Sequence, residues 1–326
     1  MPELLPYIIA TSVGLFLLAW SADRFVTGAT GLARHLGVSP LVIGLTIVAF
    51  GTSAPEMLVS AMAAWKGNSG IAIGNAIGSN IANIGLVLGV AALIVPMTVQ
   101  SRTLRREFPL LIAVTLATLA LLWDRELGRF DGLLLITGLG ALVLWTLHLA
   151  RASAPNDPMV CEFTAEMPEP MPLARTGWLL VSGLVLLLIA ARLLVWGAVG
   201  IAEGFGVNQL VIGLTIVAVG TSLPELATSV AAARKGEHDI IMGNIVGSNL
   251  FNLLAVLGVA GAVGPGGFDS AVLTRDFPLM IALTAALFFM AGDFHRKGPG
   301  RVTRPEGAML LAVFAGYQGW LFVNAA

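Results

Sequence analysis

Long apolar stretches alternate with short polar segments along the whole chain, and the polar segments hold most of the Arg, Lys, Pro and Gly residues. Ten apolar runs have cores near 4–22, 41–64, 71–95, 108–123, 131–150, 174–195, 207–233, 240–263, 277–292 and 306–323. Each is long enough, as a helix, to cross much or all of a hydrocarbon layer of about 30 Å. The first run lacks a basic leader and a small-residue cleavage site, so it reads as a retained helix and not as a signal peptide.

The pattern repeats. LVIGLTIVAFGTSAPE from Leu41 to Glu56 returns as LVIGLTIVAVGTSLPE from Leu210 to Glu225, and GNAIGSNIAN from Gly74 to Asn83 returns as GNIVGSNLFN from Gly243 to Asn252. From Leu41 to Asn83, 26 of 43 positions match the residue 169 places later. Farther on, RREFPL at Arg105 to Leu110 is set on TRDFPL at Thr274 to Leu279. Five runs per copy is an odd number, so the second copy enters the membrane upside down relative to the first.

Charge supports that reading. With both termini outside, thirteen Lys and Arg fall in inside loops and five in outside loops. Within each pair of equivalent loops the inside member is the more basic, as the positive-inside rule requires of inverted copies. The expected architecture is therefore an all-α polytopic membrane protein of ten helices. It divides into a first five-helix repeat (1–150), a Pro-rich acidic linker on the cytoplasmic side (151–173) and a second, inverted repeat (174–326).

Composition narrows the class. Hydrophobic residues make up 57% and charged residues 11%, with a mean hydropathy of +0.88, far from a soluble balance. A net charge of -1 gives no reason to expect nucleic acid, and nothing in the chain calls for an obligate protein partner. Cys161 is the only cysteine, which excludes an internal disulfide and a multi-cysteine metal site.

Candidate chemistry sits inside the repeated motifs. Pro55 and Pro224 cannot donate a backbone hydrogen bond and crowd the carbonyls of Gly51 and Gly220, so the helices should bend or open there. Thr52 and Glu56 share a helix face, as do Thr221 and Glu225, Ser79 and Asn83, and Ser248 and Asn252. Ser53 and Ser222 lie in the opened turns. Gly74, Gly78, Gly243 and Gly247 have the small-xxx-small spacing that admits a neighbouring helix. Two carboxylates at membrane depth, with no Lys or Arg at that depth in the polar helices, call for a cation or a proton. Hydroxyl and amide oxygens around them suit a hard cation such as Ca2+, which takes about six to eight oxygens. Asn75, Asn80, Asn244 and Asn249 are expected to satisfy backbone or pore water, and Arg106 with Glu107 and Arg275 with Asp276 to act as interfacial anchors and caps.

The paired GTSxPE and GNxxGSNxxN motifs resemble the alpha repeats of the sodium/calcium exchanger superfamily, the calcium:cation antiporters, over essentially the whole chain. The nearest likeness is to its bacterial inner-membrane members. That resemblance implies a secondary antiporter exchanging Ca2+ for Na+ by alternating access, without a cofactor. It implies a metal site of Glu56, Glu225, Thr52, Ser53, Thr221, Ser222, Ser79, Ser248, Asn83 and Asn252, with the backbone carbonyls of Ala49 and Ala218 facing sodium. It further implies that the first and sixth helices slide across the rest. Potassium-dependent branches carry Asp where this chain has Asn252, and calcium/proton exchangers carry a Glu near Ser79 and Ser248, so both couplings are disfavoured. Rival readings are a cation/proton or other monovalent-cation exchanger of the same architecture, a calcium-permeable channel, and an intramembrane enzyme. The last would need a nucleophile beside a base, or paired Asp, and the polar helices hold neither.

Overall fold

The computed structural model describes residues 4–99, 104–153, 171–205, 218–292 and 300–325. Most of the linker with Cys161, residues 206–217 of the seventh apolar run, including the stretch 210–217 of the second motif, and the basic loop at 293–299 lie outside the described residues.

The chain opens with α1 (Leu5–Leu36), which starts with Pro6 in its first turn. It stops at Gly37, whose left-handed φ of 62° lets its N–H cap the carbonyls of Ala33 and Arg34. Arg34 and His35 in the last turn complement the helix dipole. Ser39 is extended, as a residue before proline prefers, and Pro40 begins α2 (Pro40–Thr52). After a break at Ser53 come α3 (Ala54–Trp65), α4 (Ser69–Ile94), β1 (Met97–Val99), α5 (Leu104–Leu121), β2 (Glu126–Leu127) and α6 (Arg129–Ser153). The second half follows the same order: α7 (Leu173–Gly204), α8 (Ala218–Thr221), α9 (Leu223–Lys235), α10 (His238–Val263), β3 (Gly266–Gly267), α11 (Val272–Ala291), β4 (Gly300–Val302) and α12 (Arg304–Ala325).

Among the described residues, seven helices are long and apolar enough to cross a membrane, and the bent pair α2 and α3 makes up to eight. Two of the ten expected runs fall short for identifiable reasons. The first turn of α5 carries Arg105, Arg106 and Glu107, and the seventh run is described only from residue 218.

Strands were not expected, and their pairing is informative. β1 pairs antiparallel with β4, and β2 with β3. β1 follows the third run of its half and β3 follows the third run of the other, so each half lends one strand to a ladder with its opposite. The two short ladders staple the halves together.

α10 forms the centre, with every residue of its apolar window buried, and α4 lies beside it at 72%. α2 crosses α10 backbone to backbone. A Cβ on Gly243 would lie 2.7 Å from the Leu41 carbonyl oxygen, and one on Gly247 2.8 Å from that of Leu45. The glycine spacing thus does what the sequence suggests at Gly243 and Gly247. Gly74 and Gly78 have no such close neighbour among the described residues.

α1 and α7 form a separate pair. They run antiparallel and in close contact, since Gly14 faces the backbone of Leu194 and Gly28 that of Leu180. Gly183 and Gly197, the repeat equivalents of Gly14 and Gly28, face the backbone of Phe25 and of Tyr7 and Thr11 in return. Each helix has 32 residues, about 48 Å of rise, well beyond what a single crossing needs.

Candidate functional site

The site is assembled where four irregular helical segments meet. At the end of α2 the proline of GTSAPE opens the helix: Ser53 has ψ of 4°, and α3 leaves at a bend of 44°. The second copy does the same, with Ser222 at ψ of 7° between α8 and α9. α4 and α10 each contain a π-turn, Asn83–Leu88 and Asn252–Val256. The two equivalent asparagines therefore open equivalent widened turns, a distortion that recurs at functional sites.

Both carboxylates are enclosed, with Glu56 and Glu225 each 1% exposed. Thr52, Ser53, Ser79, Asn83, Ser222, Ser248 and Asn252 are buried with them. Ser79 and Thr221 put their hydroxyls beside Glu56, while Thr52, Ser53 and Ser248 do so beside Glu225. Each carboxylate is thus faced by a serine from the next helix of its own half and by a threonine from the other half. Ala49 is fully buried against Phe251 and Ala255, and Ala218 is the first residue of α8.

A second set of polar residues holds this arrangement open. Asn75 donates its amide to the Glu56 carbonyl at 3.2 Å and to Ser60 Oγ at 3.0 Å. Asn244 repeats this with the Glu225 carbonyl at 3.4 Å and Ser229 Oγ at 3.2 Å, and Thr52 donates to Asn244 Oδ1 at 3.2 Å. Between the halves, Asn83 Nδ2 donates to Asn249 Oδ1 at 3.1 Å and Asn252 Nδ2 to Asn80 Oδ1 at 3.0 Å. Asn80 Nδ2 also reaches the Asn249 carbonyl at 3.3 Å. Asn75, Asn80 and Asn244 thus bond backbone, as expected, whereas the Asn249 side chain only accepts, from Asn83, and its own Nδ2 has no hydrogen-bond partner among the described residues. Ser60 and Ser229 were not anticipated, although each lies four residues after its glutamate and so on the same face.

With the Asn83 and Asn252 amide groups spent on these bonds between the halves, their oxygens remain. Asn83 Oδ1 and Asn252 Oδ1 have no hydrogen-bond partner among the described residues, nor do both carboxylate oxygens of Glu56, Glu225 Oε2, Ser222 Oγ and Ser248 Oγ. Ser53 does donate to Glu225 Oε1, at 3.2 Å. Seven buried oxygens without partners, all from positions singled out in the sequence, are far from the usual satisfaction of buried polar groups. No group of three or more His, Cys, Asp or Glu assembles among the described residues, so neutral oxygens must complete any shell around the two carboxylates. Such a cluster suits a hard cation.

The other pair of matched charges splits. Arg275 clasps Asp276 at 2.5 and 2.9 Å, which fits the expected anchor. Glu107 is 1% exposed and turns into the protein, and the residues it was expected to cap, ahead of Leu104, lie outside the described residues.

Comparison with known proteins fits this geometry. The profile of the family described as sodium/calcium exchanger protein matches residues 6–148 and 176–323. The CaxA protein of Alkalimonas amylolytica is 51% identical over 95% of this chain and 97% of its own length. The inner membrane protein YrbG of Escherichia coli is 42% identical over 89% of each chain. A solved structure of the sodium-calcium exchanger NCX_Mj superposes with a TM-score of 0.84 at 30% identity, covering 98% of this chain and 99% of that one.

Proposed function

The chain belongs to the sodium/calcium exchanger family, and on that footing we propose that it exchanges Ca2+ for Na+ across a bacterial-type inner membrane by alternating access. The observation that carries the reading is the nest of seven partnerless buried oxygens around Glu56 and Glu225. The ligands are Glu56, Glu225, Thr52, Ser53, Thr221, Ser222, Ser79, Ser248, Asn83 and Asn252, with the carbonyls of Ala49 and Ala218 on the sodium path.

The mechanism follows from charge. Without an ion the two carboxylates hold about two negative charges away from water, at a cost of several kcal/mol per ion. One Ca2+ or two Na+ cancels them, so the loaded protein changes its facing and the unloaded one does not. A third Na+ would leave the site positive and make exchange electrogenic. Ca2+ and Na+ compete because they use the same carboxylates.

The body of the protein stays fixed in this scheme, and α1 with α7 slides across it. In support, α1 and α7 pack chiefly on each other and carry none of the proposed ligands. Ten crossings in two inverted copies, with both termini outside, draw support from the antiparallel α1 and α7, the exchanged strands and the basic inside loops.

The test is radiolabelled Ca2+ uptake into proteoliposomes loaded with Na+, K+ or acidic buffer, with Glu56→Gln beside the wild type. Uptake that needs internal Na+ and disappears in the variant is expected. Uptake driven equally by protons or K+ would reassign the coupling ion, and wild-type uptake in the variant would overturn the site.

A further inference from the structure

The repeat sets Glu107 on Asp276, and the two carboxylates end differently. Arg275 binds both oxygens of Asp276, and Tyr317 O–H donates to Oδ1 at 2.9 Å. Glu107 is equally enclosed, yet its Oε1 has no partner among the described residues. Arg106 beside it is exposed and makes no ion pair with it among the described residues, so its charge reaches Glu107 only through space and offsets only part of the cost of burial.

Glu107, one methylene longer than Asp276, lines a partly open cavity of about 10 Å³ bordered by α2, α5, α6 and α10, together with Thr46, Thr146, Leu142, Leu250 and Phe251. Both threonines donate their hydroxyl protons to their own helices, Thr46 to the Val42 carbonyl at 2.6 Å and Thr146 to the Leu142 carbonyl at 2.9 Å. Their lone pairs alone are left for the cavity. The polar lining therefore consists of acceptors, one of them a carboxylate, with aliphatic and aromatic side chains around them.

A buried anion among acceptors requires positive charge. The space admits one particle of about water size or smaller. A divalent ion would seek about six to eight oxygens and leave net charge in apolar surroundings, whereas one monovalent ion neutralises the single carboxylate. We propose that Glu107, Thr46 and Thr146 form a second cation site, apart from the central one, for a single small monovalent cation of sodium size. Thr46 lies in the π-turn Gly44–Val48 just ahead of Ala49, and Phe251 borders both the cavity and Ala49. Occupancy therefore braces α2 next to the central cluster.

This site uses none of the central residues, so it can be tested with those disabled. In a Glu56→Gln, Glu225→Gln background, the purified protein is heated in NaCl or in choline chloride of equal ionic strength. We expect Na+ to raise Tm by several degrees, and Glu107→Gln to abolish the rise. Thr146→Val, which keeps the carboxylate and the side-chain shape, should at least halve it and covers the case in which Glu107→Gln does not fold. No Na+-specific rise, or one that survives both substitutions, would overturn the proposal. A rise produced by acid in choline but not by Na+ would also overturn it, because the occupant would then be a proton. Failure of Ca2+ exchange in the wild type would leave this result untouched.

Discussion

The helices that carry the motifs and the α1–α7 pair solve opposite problems with the same backbone. α10 is wholly enclosed over its apolar window and α4 largely so, while only 28% of the α1 window and 22% of the α7 window are buried. The enclosed helices are broken or widened and rich in Asn, Ser and Glu. α1 and α7 run 32 residues each without a break, and display Phe16, Val181 and Trp196 outward. A helix facing lipid must satisfy all its backbone groups itself, whereas one enclosed by protein can open and lend its oxygens to an ion. The binding region is irregular and the proposed moving part regular, although α11, outside the site, also opens with a π-turn at Val272–Asp276.

The sharpest way to break this contrast is at the carboxylates. Glu56→Gln or Glu225→Gln removes half the charge that a cation must balance. By analogy with losing one partner of a buried pair, at about 3–5 kcal/mol, exchange should fall more than about 100-fold. Size exclusion should still show a folded monodisperse protein; undiminished flux in either variant would place the ion elsewhere.

Next in size is the seam of the regular pair. A Cβ on Gly183 would lie 2.7 Å from the Phe25 amide nitrogen, while Gly177 on the same helix has nothing within 4 Å. Gly183→Ala should cost about 1–3 kcal/mol by forcing α1 and α7 apart, whereas Gly177→Ala should be neutral or slightly stabilising. Thermal melting in detergent reads both. Equal melting points would mean that the two helices are not held as tightly as their glycines imply.

The two copies of the site allow a finer cut. Ser53 donates to Glu225, but Ser222 Oγ has no partner among the described residues. Without ions, Ser53→Ala should therefore lose about 1.5–3 kcal/mol, the worth of a hydrogen bond to a charged group, and Ser222→Ala close to nothing. Both should weaken Ca2+ binding measured by calorimetry. If the ion-free proteins melt in the opposite order, the asymmetry of the two halves is misassigned.

The smallest effect belongs to the contacts between α1 and the turn from α9 to α10. Lys235 pairs with Asp23 at 2.7 Å and donates to Thr27 at 2.9 Å, and Thr30 donates to Glu237 at 3.3 Å. Burial raises the Glu237 carboxyl, and Thr30 and Lys235 offset part of that. If α1 slides, these contacts hold one facing state. Lys235→Ala should then change exchange rates a few-fold, in line with about 0–1 kcal/mol for an exposed pair, and leave melting nearly unchanged. Unaltered rates at every ion concentration would remove these contacts from the mechanism.

Much of this was legible in the sequence because each signal has a local cause. Pro55 and Pro224 open their helices wherever they are placed, and Glu56 and Glu225 stand out because an apolar run tolerates carboxylates poorly. The π-turns at Asn83 and Asn252 were not legible, since one extra residue in a helical turn changes no apolar period that a window can detect. The strand ladders rest on two or three residues whose partners lie in the other half. Helix ends are also hidden: α1 continues to Leu36 past the last strongly apolar residues, because Ala22, Phe25, Val26 and Ala29 are buried against protein. Glu107 was expected at the interface because its neighbours are Arg105 and Arg106; only the packing of α6 and α10 shows where it turns.

The most direct test of the central claim is anomalous diffraction from crystals soaked with Sr2+, a heavier analogue of Ca2+. The account predicts one strong peak within about 2.3–2.7 Å of carboxylate oxygens from both Glu56 and Glu225, close to the distances Ca2+ takes from oxygen, and no peak there in Glu56→Gln. A peak bound by other residues, or none at a concentration that supports transport, would contradict it.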